Sequence, residues 1–208
     1  MIEQGTDAWL RERAGKVTAS RISDVMSKGR GSAPSATRAN YMAQLVAERL
    51  TGEPTETFIS AAMQHGTDTE PQARAQYIMR AGQDVQEVGF VAHPTLAMSG
   101  ASPDGLVGDA GLVEIKCPNT ATHIQTLRGK EIDRKYLLQM QWQMICTGRE
   151  WCDWISFDPR MPDDLAFLCK RIPYDAELAE EITEAVTQFL ADLDAMEADL
   201  RAMQDAAA

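Results

Sequence analysis

The chain has 208 residues, 44% hydrophobic and 25% charged, with a formal net charge of −11, the composition of an ordinary globular protein long enough to bury a real core. No run approaches the roughly 18 consecutive apolar residues of a membrane span, and the opening Met1-Ile-Glu-Gln-Gly lacks the basic start and apolar run of a signal peptide, which predicts a cytosolic protein. The acidic balance speaks against a nucleic-acid partner only until it is divided: residues 1–50 carry eight Lys and Arg against five Asp and Glu, while residues 161–208 carry three against twelve.

Thr6-Asp7 reads as a helix cap, with a short helix following and a stop at Gly15. Thr18-Ala19-Ser20 reads as the cap of a second helix carrying Ile22, Val25 and Met26. The stretch from Lys28 to Ala36 is Gly-rich, basic and loop-like. A third helix is predicted over 37–50, with Tyr41, Leu45 and Leu50 inward and a stop at Gly52. A fourth spans 59–80, interrupted near Gly66 and ended by Gly82. Strands are expected over 85–92 and 97–100, followed by a hairpin. Asn119 then caps a helix over 120–128, residues 134–146 form another, and 151–158 pairs with 165–172 as strands. The last helix, 175–203, places Leu178, Ile182, Val186, Phe189, Leu193, Met196, Leu200 and Met203 at spacings of three and four. That stripe suits packing on the sheet or pairing with a partner helix, and packing is expected for its first half.

The four cysteines, at 117, 146, 152 and 169, form no C-x-x-C pair and no zinc spacing, so they read as reduced core thiols. The pattern as a whole predicts an α/β (α+β) fold, a mixed central sheet flanked by helices on both faces. It reads as one domain over 1–208: a mainly helical part over 1–82, a sheet core over 83–172, and an acidic helix over 173–208.

The hairpin between Ser99 and Pro118 carries the chemistry. Ala101 opens one strand, Gly108-Asp109-Ala110-Gly111 is the turn, and Leu112 to Cys117 is the second strand, closed by Pro118. Alternation sets Glu114 and Lys116 on one face and Val113, Ile115 and Cys117 on the other. A symmetrical turn places Gly105 opposite Glu114, with Asp104 one step away diagonally. Two carboxylates and an ammonium then converge beside an apolar face. Asp104, Glu114 and the Ile115 backbone carbonyl would supply oxygens to Mg²⁺ or Mn²⁺. Lys116 would ready a water for attack and offset charge developing on phosphorus. The same spacing also suits a surface salt bridge between Glu114 and Lys116, and the hairpin alone leaves both readings open.

S-P-D-G-L followed by E-I-K-C-P resembles the P-D…E-x-K signature of the restriction-endonuclease-like nucleases, and more narrowly the phage lambda-type exonuclease, or YqaJ-like viral recombinase, family. Four further blocks resemble that family in order: I-E-Q-G-T-D-A-W-L-R-E-R-A-G-K-V-T-A-S near the start, H-G-T-D-T-E-P-Q-A-R, Y-L-L-Q-M-Q and D-P-R-M. Together they cover about residues 2–161.

The resemblance implies a restriction-endonuclease-like core and a Mg²⁺-dependent exodeoxyribonuclease, with two Mg²⁺ per site and Mn²⁺ as a substitute. It would digest one strand of linear duplex DNA from 5′ to 3′, release 5′-mononucleotides, and leave a 3′ single strand for recombination. It further implies that Asp104, Glu114 and the Ile115 carbonyl bind metal, that Lys116 activates water, and that Glu70 and Gln139 belong to the catalytic group. Arg13, Ser20 and Ser102 fall where the family grips the 5′-phosphate, and Arg30 falls where a groove-contacting arginine stands. Implied partners are DNA ends, two further copies in a homotrimeric ring, and a single-strand annealing protein, in the cytoplasm of a bacterial host. The chain departs from the family in two places: His65 stands at an aromatic position, and no arginine stands near Thr122. A related endonuclease and a non-catalytic DNA-end-binding protein are the alternative readings.

Overall fold

Local chemistry sets the first elements of the computed structural model, which describes residues 2–29, 35–56, 58 and 60–207. The Thr6 side chain accepts the Trp9 N–H at 3.3 Å and caps α1 (Asp7–Arg13). The second helix differs from expectation. Val17 and Thr18 form strand β1 (Val17–Thr18), and the Thr18 N–H is donated to the Tyr41 hydroxyl at 3.2 Å. The Thr18 side chain caps nothing, and a 3₁₀ turn (Ala19–Arg21) leads into the single turn of α2 (Ile22–Val25). The parallel partner of β1 recruits residues that local capping chemistry would have placed in a helix.

Helix α3 (Ala36–Thr51) ends at Gly52, whose φ of 74° closes it as a left-handed cap. Tyr41 and Leu45 face inward as expected, but Leu50 is 37% exposed because the last turn runs past the core. Helix α4 (Ala61–Ala81) is continuous, passing through Gly66 without the expected interruption and accommodating Pro71 in its interior. The expected strand over 85–92 divides into β2 (Val85–Gln86) and β3 (Val91–Ala92), which join different sheets. Next come β4 (Ser99–Ala101), β5 (Gly105–Val107) and β6 (Gly111–Lys116), then α5 (Thr120–Leu127) and α6 (Arg134–Thr147). The Asn119 side chain accepts the Thr122 N–H at 2.9 Å to cap α5. Strands β7 (Trp151–Phe157) and β8 (Phe167–Pro173) pair antiparallel, and α7 (Ala176–Ala207) closes the chain.

A five-stranded mixed sheet has the order β2-β5-β6-β7-β8, with β6 and β7 parallel. A three-stranded sheet, β1-β4-β3, stands beside it. Alternation along β6 and β7 sorts two faces. Val113, Ile115, Cys117, Ile155 and Phe157 pack with Ala73 and Tyr77 of α4. Leu112, Cys152 and Trp154 pack with Met140 and Met144 of α6. The other side of α6, through Leu138, Trp142 and Cys146, enters a helical core with α2, α3 and α7. Helix α6 is therefore sandwiched between the sheet and the other helices, and each of its faces has a different neighbour.

The first half of α7 packs on helices rather than on the sheet. Ile182, Val186, Phe189 and Leu193 are fully buried, and Phe189 stacks on Tyr41 at 5.5 Å between ring centroids. The stripe continues outward, with Met196 41% and Met203 67% exposed, so intramolecular packing ends near Leu193. Arg38 pairs with Asp192 at 2.7 Å, and Arg49 pairs with Asp194 at 2.6 Å and Glu197 at 3.3 Å. Cys117, Cys146 and Cys152 are buried free thiols, while Cys169 is exposed, because β8 is an edge strand. No helix among the described residues is long and apolar enough to cross a membrane.

Candidate active site

The hairpin register is one residue from the symmetrical expectation. Gly105 faces Val113 and Val107 faces Gly111, leaving a three-residue turn in which Gly108 takes a φ of 51°. Continued past its last pair, that register sets Asp104 directly across from Glu114 rather than on a diagonal. The strand expected to run on from Ala101 breaks at Ser102-Pro103-Asp104, because β4 belongs to the small sheet and β5 to the large one. Asp104 therefore sits at the junction of the two sheets.

The alternation of β6 sends Glu114 and Lys116 toward α6. Glu114 is fully buried, which removes the reading of a surface salt bridge. Its Oε1 accepts from the Lys116 ammonium and from Gln139 Nε2 at 2.7 Å, and its Oε2 accepts from Gln143 Nε2 at 2.7 Å. The ammonium also lies 5.2 Å from the centroid of the Tyr136 ring. Asp104 Oδ2 accepts the Ile115 N–H at 2.6 Å. The N–H and C=O of one strand residue point to the same side, so the Ile115 carbonyl also faces Asp104. Pro103 is next in register there and has no N–H to offer it.

Electrostatics follow from this crowding. Burial, and then the Glu114 carboxylate, push Asp104 well above its ordinary value. Burial opposes the charge on Lys116, but Glu114 and Asp104 more than offset it and raise the ammonium. Burial likewise raises Glu70 on α4; Arg74 and Lys116 pull it back, and Glu114 pushes it further. Glu70 thus shares the field of the site while its side chain pairs with Arg74, which also binds Glu87 at 2.9 Å.

Carboxylates brought together in one corner, with a charged amine on Glu114, form an oxygen donor set suited to a hard divalent cation. Among the described residues no three acidic, His or Cys side chains stand in ligand geometry. The two carboxylates Asp104 and Glu114 would therefore be completed by the Ile115 carbonyl and water, as Mg²⁺ usually requires.

A second group gathers at the end of the parallel pair β1–β4. Thr18 faces Gly100, and Ser20 and Ser102 each follow that pair by two residues. Trp9 links this end to α1. Its indole N–H donates to Ser102 Oγ at 3.1 Å, and the Arg13 guanidinium lies 3.8 Å over its ring. The Ser102 hydroxyl accepts from Trp9, which leaves its own proton to donate. Burial lowers Arg13, and its Nε is buried without a partner among the described residues. A cation and a hydroxyl donor held by the same indole are groups that suit an anion. Ser20 is exposed in the 3₁₀ turn rather than in the first turn of a capped helix, so a helix dipole contributes nothing there.

Arg30 lies outside the described residues. His65 Nδ1 shares a hydrogen bond with Thr69 Oγ1 at 3.3 Å on α4. Of the Q-x-Q pair, Gln139 reaches Glu114, whereas Gln141 turns away, donating to the Pro173 carbonyl at 2.9 Å and accepting the Asp175 N–H at 3.0 Å. Sequence reasoning missed Trp9, Tyr136 and Gln143. The i, i+4 spacing of Gln139 and Gln143 was the available signal for the last, since it places both on one helix face.

A family model described as the YqaJ-like viral recombinase domain matches residues 8–150. Among solved structures, the chain is similar to an alkaline exonuclease (LHK-Exo) from Laribacter hongkongensis, with 52% identity and a TM-score of 0.91 over 98% of this chain and 100% of that one. LHK-Exo in complex with dAMP aligns over the same shares at 51% identity and a TM-score of 0.91. A phage-related exonuclease from Haemophilus somnus 129PT shares 15% identity and a TM-score of 0.74, over 89% of this chain and 96% of that one, which is a likeness of fold. No curated protein sequence matches significantly.

Proposed function

We propose, from the premise that this chain belongs to the YqaJ-like viral recombinase family and is an alkaline exonuclease, that it digests one strand of duplex DNA from the 5′ end in a Mg²⁺-dependent reaction. The observation that carries the reading is the convergence of Asp104, Glu114 and Lys116 at the junction of two sheets, with Ser102, two residues before Asp104, tied through Trp9 to Arg13.

Asp104, Glu114 and the Ile115 carbonyl hold the cation, with Glu70 close by. When bound, the cation polarises the scissile phosphodiester and lowers the cost of deprotonating water. Lys116, kept charged by its two carboxylate neighbours, orients the attacking water and stabilises negative charge on the phosphoryl oxygens. Water adds to phosphorus, the 3′-oxygen of the terminal nucleotide departs and takes a proton, and the nucleotide leaves with its own 5′-phosphate. The phosphate that was attacked remains on the shortened strand as a new 5′-phosphate. Each cycle therefore regenerates the anion that Arg13, Ser20 and Ser102 grip.

The N-terminal helices and the sheet act as one nuclease unit, the first choosing the end and the second cutting. The reading extends to a homotrimeric ring around the duplex and to a single-strand annealing protein that receives the 3′ strand. The uneven charge is compatible with the ring: apart from Arg38 and Arg49, which pair with α7, basic residues of the first 50 would line the bore, so the net charge says little about the surface that meets DNA.

The test is linear duplex labelled at either 5′ or 3′ end, with Mg²⁺ or a chelator, beside covalently closed circular duplex. Early release of labelled mononucleotide from the 5′ end alone, dependent on metal, is expected. Cleavage of the circle would instead favour an endonuclease, and binding without release a scaffold protein. A sedimentation mass of one chain would reject the ring.

A further inference from the structure

We infer that Gln143 is a positioning residue for the nuclease reaction: it holds Oε2 of Glu114 so that Oε1 stays turned toward Lys116 and the carboxylate plane stays fixed for the cation that Asp104 and Glu114 would hold. The inference rests on the function proposed for Asp104, Glu114 and Lys116, and deepens it.

Packing does not account for a glutamine here. Gln143 is fully buried on the face of α6 that meets the sheet, between Met140 and Met144. Its amide nitrogen donates to Glu114 Oε2 at 2.7 Å, and its amide oxygen is buried with no partner among the described residues. A buried carbonyl left unsatisfied is destabilising, and a third methionine at this position would avoid that. The amide therefore has one engagement, and it is with Glu114. Gln141, two residues earlier, has both ends of its amide engaged in fastening the β8–α7 connection.

The geometry gives the bond its purpose. Gln139 and Gln143 are one helical turn apart, and each holds a different oxygen of the same carboxylate. The last torsion of a glutamate is broad and nearly two-fold, so one donor leaves the carboxylate plane free to swing. Two donors on a rigid helix fix it. Both donors are neutral, which keeps the full negative charge of Glu114 for the cation and Lys116. Lysine or arginine at 143 would cancel that charge.

Gln143→Met keeps chain length and apolar fill while removing the donor. Two quantities are read: kcat and KM on linear duplex, and Mn²⁺ affinity by calorimetry without DNA. The expected result is a loss of about 10- to 100-fold in kcat with Mn²⁺ binding weakened to a similar degree. KM for DNA should stay within about twofold, because the end-gripping groups are elsewhere. Adding Gln143→Met to Glu114→Gln should cost nothing beyond Glu114→Gln alone. If Gln143→Met fails to fold, Gln143→Asn, one methylene too short to reach Glu114, is read by the same criteria. Unchanged kcat and Mn²⁺ affinity beside an inactive Glu114→Gln overturn the inference and leave the proposed function standing. An active Glu114→Gln overturns both.

Discussion

Asp104 and Ile115 are joined by a 2.6 Å bond from a main-chain N–H to a carboxylate oxygen, across the point where the two sheets meet. The bond fixes Asp104 beside the buried Glu114, so the fold itself holds two carboxylates together. Without a cation that arrangement opposes folding, and burial and Glu114 together push Asp104 well up.

Asp104→Asn keeps an oxygen for the Ile115 N–H and removes one of the crowded charges. The metal-free protein should become more stable, by about 2–4 °C in Tm for each kcal/mol gained. The rise in Tm expected when Mg²⁺ is added to the unaltered chain should be absent from the variant. Thermal melts with chelator and with Mg²⁺ read both; a lower metal-free Tm would contradict the account.

Lys116→Ala and Glu114→Ala should each reduce digestion of linear duplex by at least about 10²-fold, the scale on which one preorganised charge in a dry site acts. Circular dichroism should show an unchanged fold for Lys116→Ala, whose side chain is 28% exposed. Wild-type turnover in either purified variant would remove the assigned roles.

Arg13→Ala should discriminate between ends. A charged hydrogen bond is worth about 1.5–3 kcal/mol, so 5′-phosphorylated duplex should suffer roughly 10- to 100-fold while 5′-hydroxyl duplex changes little. Equal losses on both would place Arg13 in the fold, against Trp9, and outside end recognition.

Asp158 sets an acid limit. Burial opposes its charge, but the Arg160 side chain at 2.7 Å and main-chain N–H at 3.0 Å hold the carboxyl down at about 2. A carboxylate held below its unfolded value of about 3.9 adds stability above about pH 4, and that stability is lost as pH falls through about 2. Asp158→Asn should therefore lower Tm near neutrality and flatten the decline between about pH 4 and pH 2. A decline as steep as that of the unaltered chain would assign acid sensitivity to other groups.

Phe189→Ala should destabilise the chain by about 3–5 kcal/mol, because Phe189 is fully buried and stacks on Tyr41. Met203→Ala, on the same stripe but 67% exposed, should stay within about 0.5 kcal/mol in the monomer. Denaturant melts of the two variants measure where the packed part of α7 ends.

Some of the molecule is local chemistry, and the sequence by itself determined it. The Thr6 and Asn119 caps, the glycine stops at 52 and 82, and the alternation that puts Glu114 and Lys116 on one face depend on neighbours a few residues away. The grouping of Asp104, Glu114 and Lys116 was legible for the same reason, since a tight turn brings its two sides together. What tertiary structure decided is everything that depends on a distant partner. Parallel pairing with β4 drew Thr18 into a strand, and a three-residue turn moved Asp104 directly opposite Glu114. Trp9 met Ser102 across 93 positions of sequence. Gln143 reached Glu114 because α6 lies against β6, with one turn of helix matched to the two oxygens of a single carboxylate. Periodicity told which faces turn inward, though not that the core stops short of Leu50 and of Met196 to Met203; only the packing of α6 on the sheet told which buried residues touch Glu114.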